Sequence, residues 1–458
     1  MNQRSHTLPR RLVLGGAIVT ALVSCAGASL IAYGVLPGTQ KVADALVAIT
    51  VVSMYAGAWM VAMSFSKSQR GMFLSAAATT LTLGVMLAML EIPAAFNFLD
   101  WSSVFRRLSG EGVPNYRSSY VPDPELSFRR VPAIHWTGRP YSDIEEGTGL
   151  PRSLKRSLTF TYDRWGYRNS IEMPQADIVF VGDSFVEGWY VSDDETTAAV
   201  LGHRLRIPVA NLGVAGYGTL QELRIVQGDA MQRHPRVLIW YLFEGNDLYD
   251  DQGFENAMLA PPHRSERNTP DSLLARLNGW DQRSFITNAL VRLRRLTYPL
   301  FPLGLAVQAT LPEKNGGHQQ VYFGGEAAVP WTSYEEQRWL TASRAFQTGV
   351  AFARDRGVHP ILVFVPHKYR VYRDFITDPR NKALKGWKVG SEFPSKFKEL
   401  CATVNVPCVD ATPVLIEALR NNIMVYSLTD THWSAEGHTV IARELERRLK
   451  ELGWVPET

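Results

Sequence analysis

A serine and an aspartate–histidine pair occupy loop positions where they could act together. Residues 179–188 read VFVGDSFVEG, so Ser184 directly follows an apolar run. Residues 430–438 read DTHWSAEGH, so Asp430 precedes His432 by two positions. In a bent loop, this spacing lets the carboxylate bind imidazole Nδ1 and leaves Nε2 free to accept a serine proton. The pattern predicts Ser184 as a nucleophile, His432 as its base and Asp430 as the residue that orients the base.

Each of these residues also has a purely structural interpretation. Asp-Ser after a glycine is ordinary turn chemistry, and we interpret Asp183 as a turn former and not as the acid of the triad. Asp430 and Thr431 could cap the final helix, but Ser434 already stands at its predicted N-cap. The loops also hold the ingredients of a divalent-metal site: Asp183, Asp247, Asp430 and His432. Such a site would leave the serine unexplained, so we expect no metal. We expect no cofactor either, because GVAGYG lacks the G-x-G-x-x-G spacing of a dinucleotide-binding loop.

Two further loops offer donors for the negative charge of a tetrahedral intermediate. Gly216 lies in the loop GVAGYG, where a residue without a side chain lets its amide approach a ligand closely. Asn246 follows the apolar run RVLIWYLF at 236–243 and offers a side-chain amide. Together with the amide of Ser184, these groups predict an oxyanion hole.

The four loops together resemble the SGNH (GDSL-type) hydrolase superfamily, through GDSF at 182–185, NLGVAGYG at 211–218, EGND at 244–247 and DTHW at 430–433. The resemblance implies the same roles: Ser184 as nucleophile, Asp430 and His432 as acid and base, and Ser184, Gly216 and Asn246 as the oxyanion hole. The Asp-Thr-His-Trp spacing, and the segment VPHKYRVY at 365–372, look like the SGNH-like domains of membrane-associated polysaccharide O-acetylation proteins.

The elements that must position these loops alternate between strands and helices from residue 175 onward. Strands are predicted at 177–181, 207–212, 236–243, 359–365 and 406–410. Fully apolar strands between helices imply a mostly parallel sheet covered on both faces. We therefore predict a three-layer α/β/α domain with a mostly parallel five-stranded sheet over 175–458, and the resemblance implies a flavodoxin-like arrangement of its strands. Residues 248–333 interrupt the alternation and are predicted to be an insertion.

Three long uncharged apolar runs precede this domain, at 12–36, 45–66 and 71–90. Each provides the roughly 20 residues that a membrane-spanning helix needs. The basic residues of the N-terminal segment and of the second loop favour a cytoplasmic location for both. The sequence thus predicts a multi-pass anchor in the bacterial inner membrane over 1–98, with all later residues outside the cytoplasm, in the periplasm.

Other features refine this topology. LVSC at 22–25 would allow lipoprotein cleavage before Cys25, but the chain stays apolar beyond it, so we favour a span. Glu91 is expected at the interfacial end of the third span. Residues 99–174 are predicted to be a connector with short strands. Cys401 and Cys408 could pair in an oxidising compartment or remain buried thiols.

Composition narrows the function further. A net charge of +4, with Lys and Arg scattered among acids, argues against a nucleic-acid partner. The resemblance implies a serine esterase or O-acyltransferase, acting on acetyl groups of a cell-envelope or secreted polysaccharide, and a membrane acyl-donor protein as a possible partner. Two alternatives stay open: a phospholipid esterase with the same triad, and a non-catalytic glycan-binding scaffold.

Overall fold

The computed structural model describes residues 55, 59, 69–96, 98–108, 120–140, 142–148, 150, 153–259, 280–297, 307–312, 317–324, 331–377, 387 and 389–456. The first predicted span, and all of the second except Tyr55 and Trp59, lie outside the described residues. The chain divides into two compact units, one of residues 1–109, 145–152 and 266–306, the other of residues 110–144, 153–265 and 307–458.

The described helices are α1 (Gln69–Ala95), α2 (Trp101–Leu108), α3 (Asp143–Thr148), α4 (Ser184–Glu187), α5 (Thr197–Leu205), α6 (Thr219–Ile225), α7 (Asp247–Leu259), α8 (Trp280–Arg283), α9 (Phe285–Thr297), α10 (Ser333–Arg354), α11 (Lys368–Tyr372), α12 (Glu392–Val404), α13 (Ala411–Arg420) and α14 (Ala435–Glu451). The strands are β1 (Tyr120–Asp123), β2 (Ser127–Arg130), β3 (His135–Gly138), β4 (Leu158–Thr161), β5 (Ile178–Val181), β6 (Val209–Asn211), β7 (Val237–Phe243), β8 (Val307–Pro312), β9 (His318–Phe323), β10 (His359–Val365) and β11 (Cys408–Asp410).

The second unit is built on a five-stranded sheet in the order β11-β10-β7-β5-β6, with every neighbouring pair parallel. The central strands β5 and β7 are apolar and buried along their whole length, as expected of strands covered on both faces. One face packs against α5, α13 and α14, and the other against α6, α10 and α12. The predicted α/β class and the parallel five-stranded sheet are therefore confirmed.

The strand order determines where a site can form. Numbered along the chain, the sheet strands run 2-1-3-4-5, so the winding direction reverses between β5 and β7. Ligands in such sheets bind beyond the carboxyl ends of the strands on either side of this reversal. Ser184 follows β5 and Asn246 follows β7, so the fold brings both predicted residues to the carboxyl ends of these two strands.

Antiparallel pairs add to the sheet unit: β1 with β2, β3 with β4, and β8 with β9. The first two pairs lie in the segment predicted to be a connector with short strands. Cys401 in α12 and Cys408 in β11 form a disulfide. This bond closes the loop between the helix and the edge strand.

The first unit contains α1, whose residues 70–95 are long and apolar enough to cross a membrane by length and composition. It covers the third predicted span, 71–90, and is the one helix of this kind among the described residues. The carboxylate of Glu91 accepts hydrogen bonds from Trp280 Nε1 at 3.1 Å, from the Ser284 hydroxyl at 3.0 Å and from the Ile286 N–H at 2.6 Å. Glu91 is thus a buried acceptor at the end of α1, where the sequence predicted an interfacial acid.

Candidate active site

Ser184 is positioned by a single helical turn that starts where β5 ends. The side chain of Asp183 caps this turn by accepting the Phe185 N–H at 2.9 Å, and the turn ends at Gly188 in the left-handed conformation, with φ 79°. The Ser184 hydroxyl therefore lies at the first position of α4, beside the edge of the sheet. Asp183 acts as a cap, which is the local role expected of it.

The structure brings Ser184, His432 and Asp430 together. The distance from Ser184 Oγ to His432 Nε2 is 2.8 Å, and His432 Nδ1 lies 2.6 Å from Asp430 Oδ1. The three residues are buried, with 8%, 9% and 0% of their surfaces exposed, respectively. This arrangement allows the serine proton to move to Nε2 while the carboxylate stabilises the resulting imidazolium.

Residues 427–434, which we name the acid–base loop, hold the pair. Asp430 Oδ1 also accepts the backbone N–H of His432 at 2.9 Å, so one oxygen fixes both the main chain and the ring. The loop ends at Ser434, whose hydroxyl accepts the Gly437 N–H and caps α14. Because Ser434 performs the capping, Asp430 remains available to the histidine.

The charges in the site favour a protonated imidazole. Burial lowers the pKa of His432, but the charge and hydrogen bond of Asp430, followed by the charges of Asp143 and Asp183, raise it to about 9. Burial raises the pKa of Asp430, yet His432 outweighs it and the pKa is lowered. Ser184 Oγ also lies 3.3 Å from Asp183 Oδ2. The serine can therefore donate to Asp183 while the imidazolium donates to it, and can turn to Nε2 once the imidazole is neutral.

The loop after β6 carries Gly216, the second predicted donor. Gly216 has φ 83° at the third position of a turn that the Tyr217 N–H closes onto the Val214 carbonyl at 3.1 Å. This conformation favours glycine. Within the described part of the chain, neither the Gly216 N–H nor the Ser184 N–H has a hydrogen-bond acceptor. Both amides are thus available to an oxyanion.

Asn246, the third predicted donor, lies directly before α7. One N–H of its amide donates to Asp250 Oδ2 at 2.5 Å, and its carbonyl oxygen is buried without a partner among the described residues. A primary amide has a second N–H, which remains for a ligand. The structure therefore shows an Asn246 side chain that Asp250 already orients.

The glycine loop packs directly on the helix that carries the serine. A Cβ on Gly213 would lie 2.3 Å from the Glu187 nitrogen, so only glycine permits this approach. The Glu187 carboxylate accepts the Ala215 N–H at 2.6 Å. Glu187 was not predicted, because an acid three residues after a serine carries no recognisable pattern in the sequence.

Two other residues contact the acid–base loop and were not predicted as functional. Asp143, at the start of α3, donates its backbone N–H to Asp430 Oδ2 at 3.0 Å. Lys368, at the start of α11, is buried, and its ammonium donates to the Ser427 carbonyl at 2.6 Å and the Asp430 carbonyl at 3.0 Å. Lys368 lies in the segment 365–372 that carried part of the family resemblance, and its position three residues after the end of β10 was the available signal.

The grouping of acids differs from the metal site considered from sequence. Asp247 Oδ2 accepts the Phe243 N–H at 2.7 Å, and the Asp183 side chain caps α4. Among the described residues, Asp143, Asp430 and His432 offer ligand atoms within 4.8 Å of one another. These are the atoms that hold the acid–base loop together.

The comparisons with known proteins found similarity to one family model and to several solved structures. Residues 333–457 match the family model described as SGNH hydrolase-like domain, acetyltransferase AlgX, and this range contains Asp430 and His432. A catalytic mutant of the acetylxylan esterase Axe2 from Geobacillus stearothermophilus is 12% identical, with 63% of this chain and 100% of that chain covered and a TM-score of 0.33. A GDSL-like lipase from Bacteroides thetaiotaomicron is 10% identical, with 62% and 93% covered and a TM-score of 0.29. No curated protein matches the chain.

Proposed function

We propose that this chain is a membrane-anchored serine esterase or O-acyltransferase with the triad Ser184–His432–Asp430. The match of residues 333–457 to a model of an SGNH hydrolase-like domain supports the proposal. The observation that carries the proposal is the pair of contacts at 2.8 Å and 2.6 Å that link the serine to the histidine and the histidine to the aspartate. Nucleophile, base and orienting acid in hydrogen-bond contact are the signature of nucleophilic acyl transfer.

The first half-reaction forms an acyl-enzyme. Ser184 Oγ attacks the ester carbonyl while its proton passes to His432 Nε2, and Asp430 stabilises the imidazolium. The negative charge on the former carbonyl oxygen is received by the Ser184 and Gly216 amides and the free N–H of Asn246. When the intermediate collapses, the C–O bond to the alcohol breaks, and the alcohol leaves with the proton from His432.

The second half-reaction regenerates the serine. Water, or a sugar hydroxyl, gives its proton to His432 and attacks the acyl carbon, and the bond to Ser184 then breaks as the serine recovers that proton. Water as acceptor yields a free acid, and a sugar as acceptor yields a new ester. The two outcomes differ only in which hydroxyl occupies the site.

The proposed location is the outer side of the bacterial inner membrane, with three spans at 12–36, 45–66 and 71–90. The apolar helix α1 supports the third span. The disulfide between Cys401 and Cys408 supports an oxidising compartment for the second unit. Acetyl groups of a cell-envelope or secreted polysaccharide are the proposed substrate, because the matched family model describes an acetyltransferase, and a membrane acyl-donor protein is the proposed partner.

Probe labelling of the full-length protein in detergent tests the triad. Wild type should react with a fluorophosphonate, Ser184→Ala should not, and the exposed Ser395→Ala in α12 should label like wild type. Undiminished labelling of Ser184→Ala would refute the assignment. Incubation with an acetylated oligosaccharide and, separately, with phospholipid vesicles then identifies the substrate, since acetate is expected from the first and no fatty acid from the second.

A further inference from the structure

Two neighbouring residues from the segment before the sheet hold three consecutive residues of the acid–base loop. The Ser142 hydroxyl donates to the Thr429 carbonyl at 2.5 Å, and the Asp143 N–H donates to Asp430 Oδ2 at 3.0 Å. The Asp143 carboxylate accepts the Thr431 N–H at 3.0 Å and also the Thr431 hydroxyl. The stretch before His432 is thus bound residue by residue to a part of the chain nearly 290 positions earlier in sequence.

These contacts determine the orientation of the Asp430 carboxylate. Its Oδ1 is occupied by the backbone and ring of His432, and its Oδ2 by the Asp143 N–H. The terminal torsion of an aspartate is soft, so a carboxylate held at one oxygen alone can rotate. With both oxygens held, its plane stays aligned with imidazole Nδ1.

We propose that Asp143 is a positioning residue of the acyl-transfer site. Its N–H holds the Asp430 carboxylate, its own carboxylate holds Thr431, and it places a second carboxyl group beside the imidazole of His432. The proposal rests on the proposed function, in which His432 is the base. It extends the site to a residue outside the four motifs and outside the matched range 333–457.

Several titratable groups interact with His432: Asp430 of its own loop, Asp143 of α3, Asp183 before α4 and His438 of α14. Lys368 of α11 interacts with Asp143 and Asp430. Burial and the charge of Asp430 raise the pKa of Asp143 to about 8. The charge of Asp143 in turn contributes to the raised pKa of His432. An asparagine at 143 keeps the N–H and an acceptor oxygen but removes the ionisable group, which separates charge from hydrogen bonding.

The test is a titration of His432 in the full-length protein labelled with ¹⁵N-histidine, where loss of a signal in His432→Gln identifies the residue. We expect Asp143→Asn to lower the titration midpoint by about one pH unit, because a nearby negative charge stabilises imidazolium. Asp355→Asn, at an exposed aspartate that follows α10, is the matched control and should leave the midpoint in place. An unchanged or raised midpoint in Asp143→Asn overturns the proposal.

Kinetics supply the second measurement. Asp143→Ala, which loses the carboxyl acceptors, should lower kcat on an acetyl ester by about 10- to 100-fold with KM unchanged, since the base is misplaced while substrate binding is not. All variants are compared above their titration midpoints, where the imidazole is neutral in each of them, and there Asp143→Asn should retain most of kcat. Wild-type kcat in Asp143→Ala, with a native circular dichroism spectrum, would contradict positioning. A wild-type protein that neither hydrolyses esters nor reacts with a fluorophosphonate would refute the proposed function instead, and the titration would still decide the role of Asp143.

Discussion

The carboxylate of Glu187 connects the helix of the nucleophile to two other parts of the site, so we predict that Glu187→Gln destabilises the protein and slows acyl transfer. Glu187 Oε1 accepts Arg130 Nη2 at 2.7 Å and the Tyr162 hydroxyl at 2.5 Å. Its Oε2 accepts the Ala215 N–H at 2.6 Å and Arg130 Nε at 3.3 Å. One fully buried carboxylate thus receives donors from the connector and from the glycine loop.

The expected loss of stability in Glu187→Gln follows from the loss of one negative charge and one hydrogen-bond acceptor. The amide of Gln has an NH₂ group in place of one oxygen, so at least two of the four donors lose their acceptor, whichever oxygen is replaced. Arg130, whose side chain is 1% exposed, also loses the Glu187 charge. Removing one partner of a buried ion pair costs about 3–5 kcal/mol. At ~2–4 °C per kcal/mol for a unit of this size, the melting temperature should fall by roughly 6–20 °C.

Thermal unfolding of the full-length protein in detergent measures this effect. Glu399→Gln, at an exposed position in the middle of α12, is the matched control and should change the unfolding free energy by less than about 0.5 kcal/mol. In an Arg130→Met background, Glu187→Gln should cost at least about 2 kcal/mol less than in wild type, because the two residues act as a pair. A Glu187→Gln variant that melts with the Glu399→Gln control would refute the argument.

Three other predictions concern the site and its surroundings. Because His432 must be neutral to accept a proton and its pKa is about 9, kcat/KM should rise with pH to a midpoint near pH 9; a flat profile between pH 7 and 9 would contradict the histidine as base. Asn246→Ala should lower kcat by about 10²–10³-fold, measured by ester hydrolysis, and should leave the melting temperature at the wild-type value. A lower melting temperature beside the lower kcat would indicate that Asn246 supports the structure and does not act in the reaction. Reduction of the Cys401–Cys408 bond should lower the unfolding free energy by about 2–3 kcal/mol, as expected for so short a loop; identical melting curves with and without reductant would contradict this.

The sheet was predictable because its strands are apolar without interruption, and its site was predictable because parallel strands end at one edge. The two edge strands proved shorter than expected: 209–211 instead of 207–212, and 408–410 instead of 406–410. Pro208 and Pro407 immediately precede the observed strands. Proline has no N–H to donate to a strand ladder, so each strand begins at the residue after the proline. The proline carbonyls still accept N–H groups from the neighbouring strands.

The residues that could not be predicted act through tertiary contacts. Asp143 lies in a segment rich in proline, glycine and tyrosine, where an Asp next to a Ser predicts only a turn or a helix cap. Its partner Asp430 is 287 residues away, and no local pattern encodes that contact. Glu187 is similar, since its donors come from three separate stretches of chain.

Lys368 explains how the acid–base loop keeps an irregular backbone in a buried place. A loop without strand or helix pairing leaves carbonyl groups that need donors when they are shielded from water. The Lys368 ammonium donates to the carbonyls of Ser427 at 2.6 Å, Tyr322 at 2.7 Å, Asp430 at 3.0 Å and Leu428 at 3.1 Å. The Lys368 ammonium therefore holds the main chain up to and including Asp430, while the Asp143 N–H holds the Asp430 side chain. Because both supports come from outside the loop, the short sequence DTHW marks the site without containing what holds it in place.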